Sequence, residues 1–158
     1  MHEYHTETIN HNGTDYRVEY IHDADTDAPW DNDCATGIVS EWTSRARRPG
    51  ERVLCSYRGS NRFYDVQATM RKAKSEGWKA APYDAPDKAA RAVDADFKRL
   101  RAWCNDDWHY MGVVVFPLTD DGDELRSQSQ SLWGIESDCE DYIKEVTREV
   151  LEQITVTA

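Results

Sequence analysis

Apolar and polar positions alternate on both sides of Asn12-Gly13 in EYHTETINHNGTDYRVEYIHD. A period of two is a strand signal, and Asn-Gly tolerates the positive φ angles of a two-residue turn. The segment therefore predicts a β-hairpin with Tyr16, Val18 and Tyr20 on one face. The pattern then lapses: DADTDAPWDNDCATG, residues 23–37, is rich in Asp, contains Pro and Gly, and has no period. It predicts a loop close to the length limit for a structureless connection. Residues 38–48 fit either a short strand or a turn of helix. ERVLCSYRGSNRFYD predicts strands at 52–57 and 62–64 around an Arg58-Gly59-Ser60-Asn61 turn.

Spacings of three and four follow. Asp65 is placed to cap a helix over 66–76, with Val66, Met70 and Ala73 inward and Gly77 as its stop. Beyond Pro82 and Pro86, Ala89 or Ala90, Val93, Phe97, Leu100 and Cys104 predict a helix over 87–105 whose stripe is a core face rather than a dimer seam. HYMGVVVFPLT and ELRSQSQSLWGI, on either side of Asp120-Asp121-Gly122-Asp123, predict a second long hairpin. Its first strand is almost wholly apolar and so central, and Ser127 to Gln130 belong to a wet partner. Gly134 permits a bend or a close backbone approach. Ser137-Asp138-Cys139-Glu140 matches a capping box that opens a last helix, 138–154, with Cys139, Tyr142 or Ile143, Val146, Val150 and Ile154 inward and a loose tail at 155–158. The expected fold is α+β: an antiparallel sheet of hairpins with about three helices on one face, in a single domain over residues 1–158.

Aromatic residues make up 11% of the chain, including six Trp, which supports a packed core despite a mean hydropathy of -0.82. No apolar run reaches membrane-spanning length and the N-terminus lacks signal-peptide features, so a soluble cytoplasmic protein is expected. Cys34, Cys55, Cys104 and Cys139 form no C-x-x-C pair, and free, mostly buried thiols are expected.

Thirty acids against 19 bases give a net charge of -11. That balance disfavours direct binding to nucleic acid or to an anionic membrane and favours a basic protein partner. The charges are segregated. Seven acids and one Arg lie between Asp15 and Asp33, six Arg and two Glu between Glu41 and Arg62, and seven acids with two bases between Glu136 and Glu152. Two acidic surfaces flanking an arginine-bearing one is the simplest reading. Asp138, Asp141, Glu145, Glu149 and Glu152 make a row of carboxylates comparable to a phosphate backbone, and Asp23, Asp25 and Asp27 a second acidic patch for the same kind of partner.

Other chemistry is weaker in the sequence. Asp23, Asp25 and Asp27 match the first three ligand positions of an EF-hand loop, but Ala28 and Cys34 stand where its Gly and bidentate Glu belong. A looser metal site over Asp23 to Asp33, or a Cys104 nucleophile with His109 as base, is the enzymatic alternative. No phosphate-binding loop, dinucleotide fingerprint or nucleophile elbow is present, so no cofactor and no metal are expected. Arg45, Arg47, Arg48, Arg52, Arg58 and Arg62, interleaved with Tyr57, Phe63 and Tyr64, form the one stretch suited to gripping phosphate and stacking bases, which gives a nucleic-acid-handling accessory as a further alternative. The simpler reading is that these arginines pair with the protein's own carboxylates.

PGERVLCSYRGSNRFYD, RAWCNDDWHYMGVVV and SLWGIESDCEDY together resemble a family of small uncharacterised proteins encoded by bacteriophages and mobile elements, over most of residues 15–150. The resemblance implies no fold, activity or site residues. It implies a setting, the cytoplasm of a host cell, where small acidic proteins are often similar in role to antirestriction or anti-CRISPR inhibitors. The resulting expectation is a binding protein that inhibits or modulates a host nucleic-acid-binding or defence protein through a negative surface, with homo-oligomerisation left open.

Overall fold

A computed structural model describes residues 2–32 and 35–157. It is an α+β structure with six strands in two antiparallel sheets and four helices. By its internal contacts the chain divides into two compact units: a terminal unit made of Met1–Thr26 and Trp108–Ala158, and an inserted unit, Asp27–Asp107.

The terminal unit contains β1 (His2–His11), β2 (Thr14–His22), β5 (Tyr110–Pro117), β6 (Gln130–Glu136) and α4 (Glu140–Thr157). The predicted first hairpin forms, with Asn12 at φ 53° and Gly13 at φ 87°, both in the region a tight two-residue turn requires. Strand order is β1-β2-β5-β6, so β2 pairs with a strand some ninety positions later, Val18 opposite Val115 and Tyr20 opposite Val113. The near-continuous apolar run makes β5 central, as its composition requires. One face of this sheet buries Tyr16, Val18, Tyr20, Met111, Val113, Val115 and Ile135 against Val146, Val150, Leu151 and Ile154 of α4.

Several local expectations around α4 are corrected. The helix starts at Glu140 and runs to Thr157, so it continues past the end at 154 and into the expected tail. Cys139 precedes it and is exposed rather than inward, and Ile143 rather than Tyr142 packs on the core. Ser137 does not close a capping box. Its Oγ accepts from the His109 N–H (2.9 Å) and its own N–H donates to the His109 carbonyl (2.9 Å), pinning the turn before α4 to the residue before β5. Ser137→Ala is expected to cost about 1 kcal/mol in urea unfolding and to speed exchange of the His109 amide proton. The β5–β6 connection is no tight hairpin either: a 3₁₀ turn at Arg126–Gln128 takes up part of the supposed wet strand.

Gly134 sits at φ 76° where the β5–β6 register slips, bending the strand. The close approach falls at Gly112 instead, where an added Cβ would lie 2.2 Å from the Trp133 indole. Glu19, buried on the opposite side of β2 from Val18, is paired with Arg126 at 2.6 Å, and the Arg126 guanidinium lies 4.5 Å over the Phe116 ring.

The inserted unit contains α1 (Pro29–Asn32), β3 (Glu51–Tyr57), β4 (Ser60–Asp65), α2 (Val66–Glu76) and α3 (Lys88–Cys104). A single helical turn thus interrupts the expected Asp-rich loop. The β3–β4 turn is only two residues, Arg58 (φ 47°) and Gly59 (φ 81°), with Ser60 and Asn61 already in the strand. Residues 38–43 run beside β4 without forming a regular strand, Ser40 N–H donating to Phe63 and Thr43 exchanging bonds with Asn61. Asp65 caps α2 by accepting from the Ala68 N–H at 2.9 Å, and Gly77 ends it at φ 70°. Leu54, Tyr64, Ala73, Val93, Phe97 and Leu100 form the core.

Among the described residues no helix is long and apolar enough to cross a membrane.

Candidate functional site: an acidic unit and an arginine–aromatic hairpin

The two acidic stretches separated in sequence by the arginine-rich segment belong to one unit. Residues 1–26 and 108–158 hold 17 acids and 4 bases, a formal charge of -13, whereas 27–107 hold 13 acids and 15 bases, or +2. Within the terminal unit the orientation of α4 follows from its buried stripe. With Val146, Val150 and Ile154 on the sheet, the helical repeat of 100° per residue turns Asp141, Glu145, Glu149 and Glu152 to the opposite, exposed side. Their backbone positions rise over about 16 Å. Arg148 stands in the same stripe, three residues from Glu145 and four from Glu152, so the row is predominantly rather than purely negative.

The other proposed acids are placed differently. Asp138 is exposed but lies in the turn before α4, outside the helical row. Asp25 is exposed, while Asp23 is half-buried at the end of β2, its N–H donating to Tyr110 and its carbonyl accepting from the Thr26 hydroxyl. Asp27 belongs to the inserted unit, where its carbonyl accepts from the Asn32 amide at 3.0 Å. Asp33 and Cys34 lie outside the described residues. Among the described residues no three His, Cys, Asp or Glu side chains are grouped so as to hold a metal ion.

Most of the arginines are engaged internally. Arg45 makes a bidentate pair with Glu51 (2.8 and 2.7 Å), with its guanidinium 4.8 Å over Phe63, and the Arg48 N–H donates to the same carboxylate at 2.7 Å. Arg47 donates to the Glu51 carbonyl, and Arg52 pairs with Asp94 at 3.5 Å while stacking 3.8 Å over Phe97. The reading in which these side chains serve the protein's own carboxylates and rings holds for Arg45 and Arg52, whereas Arg47 serves a main-chain carbonyl. Chiefly the Arg45 hydrogen bonds, with help from the Arg48 N–H, hold the Glu51 carboxyl down at about 2 from an ordinary 4.5. A carboxylate with a depressed folded-state value stabilises the fold above its ordinary value and loses that contribution as pH falls through the depressed one. The inserted unit is therefore expected to lose stability between pH 4.5 and about 2, and Glu51→Gln to flatten that limb of the stability–pH curve measured by urea unfolding.

The rest of the arginine segment builds a different feature. Tyr57 and Arg58 occupy the β3–β4 tip, with the Arg58 guanidinium 5.2 Å over the Tyr57 ring. Trp42 lies 6.4 Å from Tyr57 between centroids, and both rings are exposed, 44% and 62% respectively. Arg62 donates to the Ser40 carbonyl (3.0 Å) and places its guanidinium over two indoles, Trp30 at 5.4 Å and Trp42 at 5.1 Å. Trp103, from the last turn of α3, meets Trp30 edge to face at 5.4 Å. Trp30, Trp42, Tyr57, Arg62 and Trp103 line an open cavity of about 350 Å³ together with Cys55 and Cys104. Sequence reasoning found Tyr57, Arg58 and Arg62 but not Trp30, Trp42 or Trp103, because these come from α1, an irregular segment and the far end of α3.

The thiols of this cavity bear on the enzymatic alternative. Burial, reinforced by the neighbouring Cys55 thiol, pushes the Cys104 thiol up to about 12, so it is held protonated, the reverse of what a nucleophile needs. The His109 ring, the supposed base, lies 4.2 Å from that of His22, the two tilted at 47°. Cys55 and Cys104 are only half-buried and Cys139 is exposed, so the three described thiols are less buried than expected.

No family model, curated protein or solved structure matches this chain.

Proposed function

We propose that this chain is a binding protein whose terminal unit presents a negative surface, centred on the outward stripe of α4, to a basic protein. The observation that carries the reading is the charge of -13 gathered in that one unit from two distant parts of the chain. Such a surface attracts basic partners and repels polyanions. A rigid carboxylate row, fixed by the burial of the opposite face of α4, suits a partner that ordinarily binds the phosphates of nucleic acid. The resemblance to phage and mobile-element proteins adds the biological setting: inhibition or modulation of a host nucleic-acid-binding or defence protein in the cytoplasm.

The experiment is affinity capture from bacterial lysate with the parent protein and with a variant carrying Asp141→Lys, Glu145→Lys, Glu149→Lys and Glu152→Lys. The expected result is a basic protein retained by the parent at about 50 mM salt, released by about 0.5 M as exposed charges are screened, and not retained by the variant. Identical retention by both proteins, or none by the parent at low salt, removes the proposal.

A further inference from the structure

The cavity of the inserted unit carries an inference that is independent of the acidic face. Its walls are π surfaces: three Trp and Tyr57, two of these rings open to solvent at the mouth. Rings of this kind favour a flat, aromatic ligand. The position a cationic ligand would take over the indoles is already filled by the protein's own Arg62 guanidinium, 5.4 Å from Trp30 and 5.1 Å from Trp42. Among the described residues, none of those lining the cavity is acidic. A second guanidinium, that of Arg58, lies 5.2 Å over the ring of the lining residue Tyr57 on the exposed hairpin tip. These features select a flat ring bearing negative charge.

Size and charge narrow the class further. A cavity of about 350 Å³ is at the small end of ligand sites and holds one base with its sugar rather than a run of them. The chain as a whole carries -11, which opposes a long polyphosphate strand far more than a single nucleotide. We propose that this cavity is a mononucleotide site, the base stacking against Trp42 and Tyr57 and the phosphate meeting Arg62 and Arg58.

Three of the six Trp line the cavity, so binding is read by tryptophan fluorescence, corrected for nucleotide absorbance, and by calorimetry on the full chain. The probes are AMP, UMP, adenosine, inorganic phosphate and short oligo(dT). AMP or UMP is expected to quench saturably, with Kd between about 10 µM and about 1 mM. Trp42→Ala and Tyr57→Ala are each expected to weaken binding about tenfold. Both side chains are exposed, and an unchanged circular dichroism spectrum and Tm confirm that each variant folds. Arg58→Glu is expected to weaken AMP but not adenosine, which a merely structural role for the hairpin tip would not produce. The assignment is overturned by the absence of saturable binding, by full binding in Trp42→Ala, by inorganic phosphate producing the same response, or by affinity that rises steadily with oligonucleotide length, which would mark a single-strand site instead. The α4 charge variants leave this titration unchanged if the cavity alone is responsible, so failure of the acidic-face proposal and failure of this one are separable.

Discussion

Tyr64→Ala is expected to abolish cooperative folding of the Asp27–Asp107 unit. The Tyr64 side chain is 0% exposed and packs edge to face on Phe97 at 5.3 Å. Its hydroxyl donates to Asp96 Oδ2 at 2.7 Å, and the same oxygen accepts from the Gly37 N–H at 2.9 Å. There is no slack around the ring, since a Cβ on Gly37 would come within 2.5 Å of it. Removing a large buried aromatic side chain costs about 3 to 5 kcal/mol, and taking from the half-buried Asp96 carboxylate one of its two donors costs about 1 kcal/mol more. Against a typical domain stability of about 5 to 15 kcal/mol, that sum is decisive. Burial already raises the Asp96 carboxyl above its ordinary value, with the Tyr64 hydroxyl and the Gly37 N–H working against that rise. Tyr64→Phe separates the two contributions by keeping the ring and losing only the hydroxyl, for an expected loss of about 1 kcal/mol. Urea unfolding followed by tryptophan fluorescence measures both. A Tyr64→Phe variant as stable as the parent would show that the Asp96 contact contributes nothing.

The fourfold lysine variant of α4 is the second large effect. Reversing Asp141, Glu145, Glu149 and Glu152 moves the terminal unit from -13 to -5, a change of 8 charges on one exposed stripe. For a partner held by that stripe, the expected loss in affinity at low salt is at least about a hundredfold, most of it in the association rate at the rim of the contact. Folding should not suffer. All four side chains are exposed, and relief of self-repulsion in an over-acidic unit offsets the cost of lysines beside Arg148 and in the first turn of α4, so Tm is expected to change little. Glutamine and asparagine at the same positions should give an intermediate loss. If affinity for the captured protein survives the fourfold reversal, the contact lies elsewhere.

What could be read without the structure was local. Asn12-Gly13, Asp65 and Gly77 each did what their short-range chemistry demands, because a positive φ or a side-chain cap depends only on the nearest few residues. The stripe Val93, Phe97, Leu100 and the apolar run of β5 announced buried faces for the same reason. Ser137 is the instructive failure. Its spacing to Glu140 fits a capping box, yet the His109 backbone, 28 positions away, takes the hydroxyl instead. The short α1 turn inside an Asp-rich loop and the shift of the close backbone approach from Gly134 to Gly112 likewise depend on neighbours the local pattern does not contain.

The sequence by itself therefore determined the α+β class, most of the elements, their buried faces and the alternation of acidic and basic stretches. Only the tertiary structure decided how these combine. The pairing of β2 with β5 joins two acidic stretches into one unit, and packing in the inserted unit brings Trp30, Trp42 and Trp103 around Arg62. Periodicity and capping are set by adjacent residues, whereas the choice of strand partner and the convergence of rings depend on burial summed over the whole chain, and that sum is not written in any one segment.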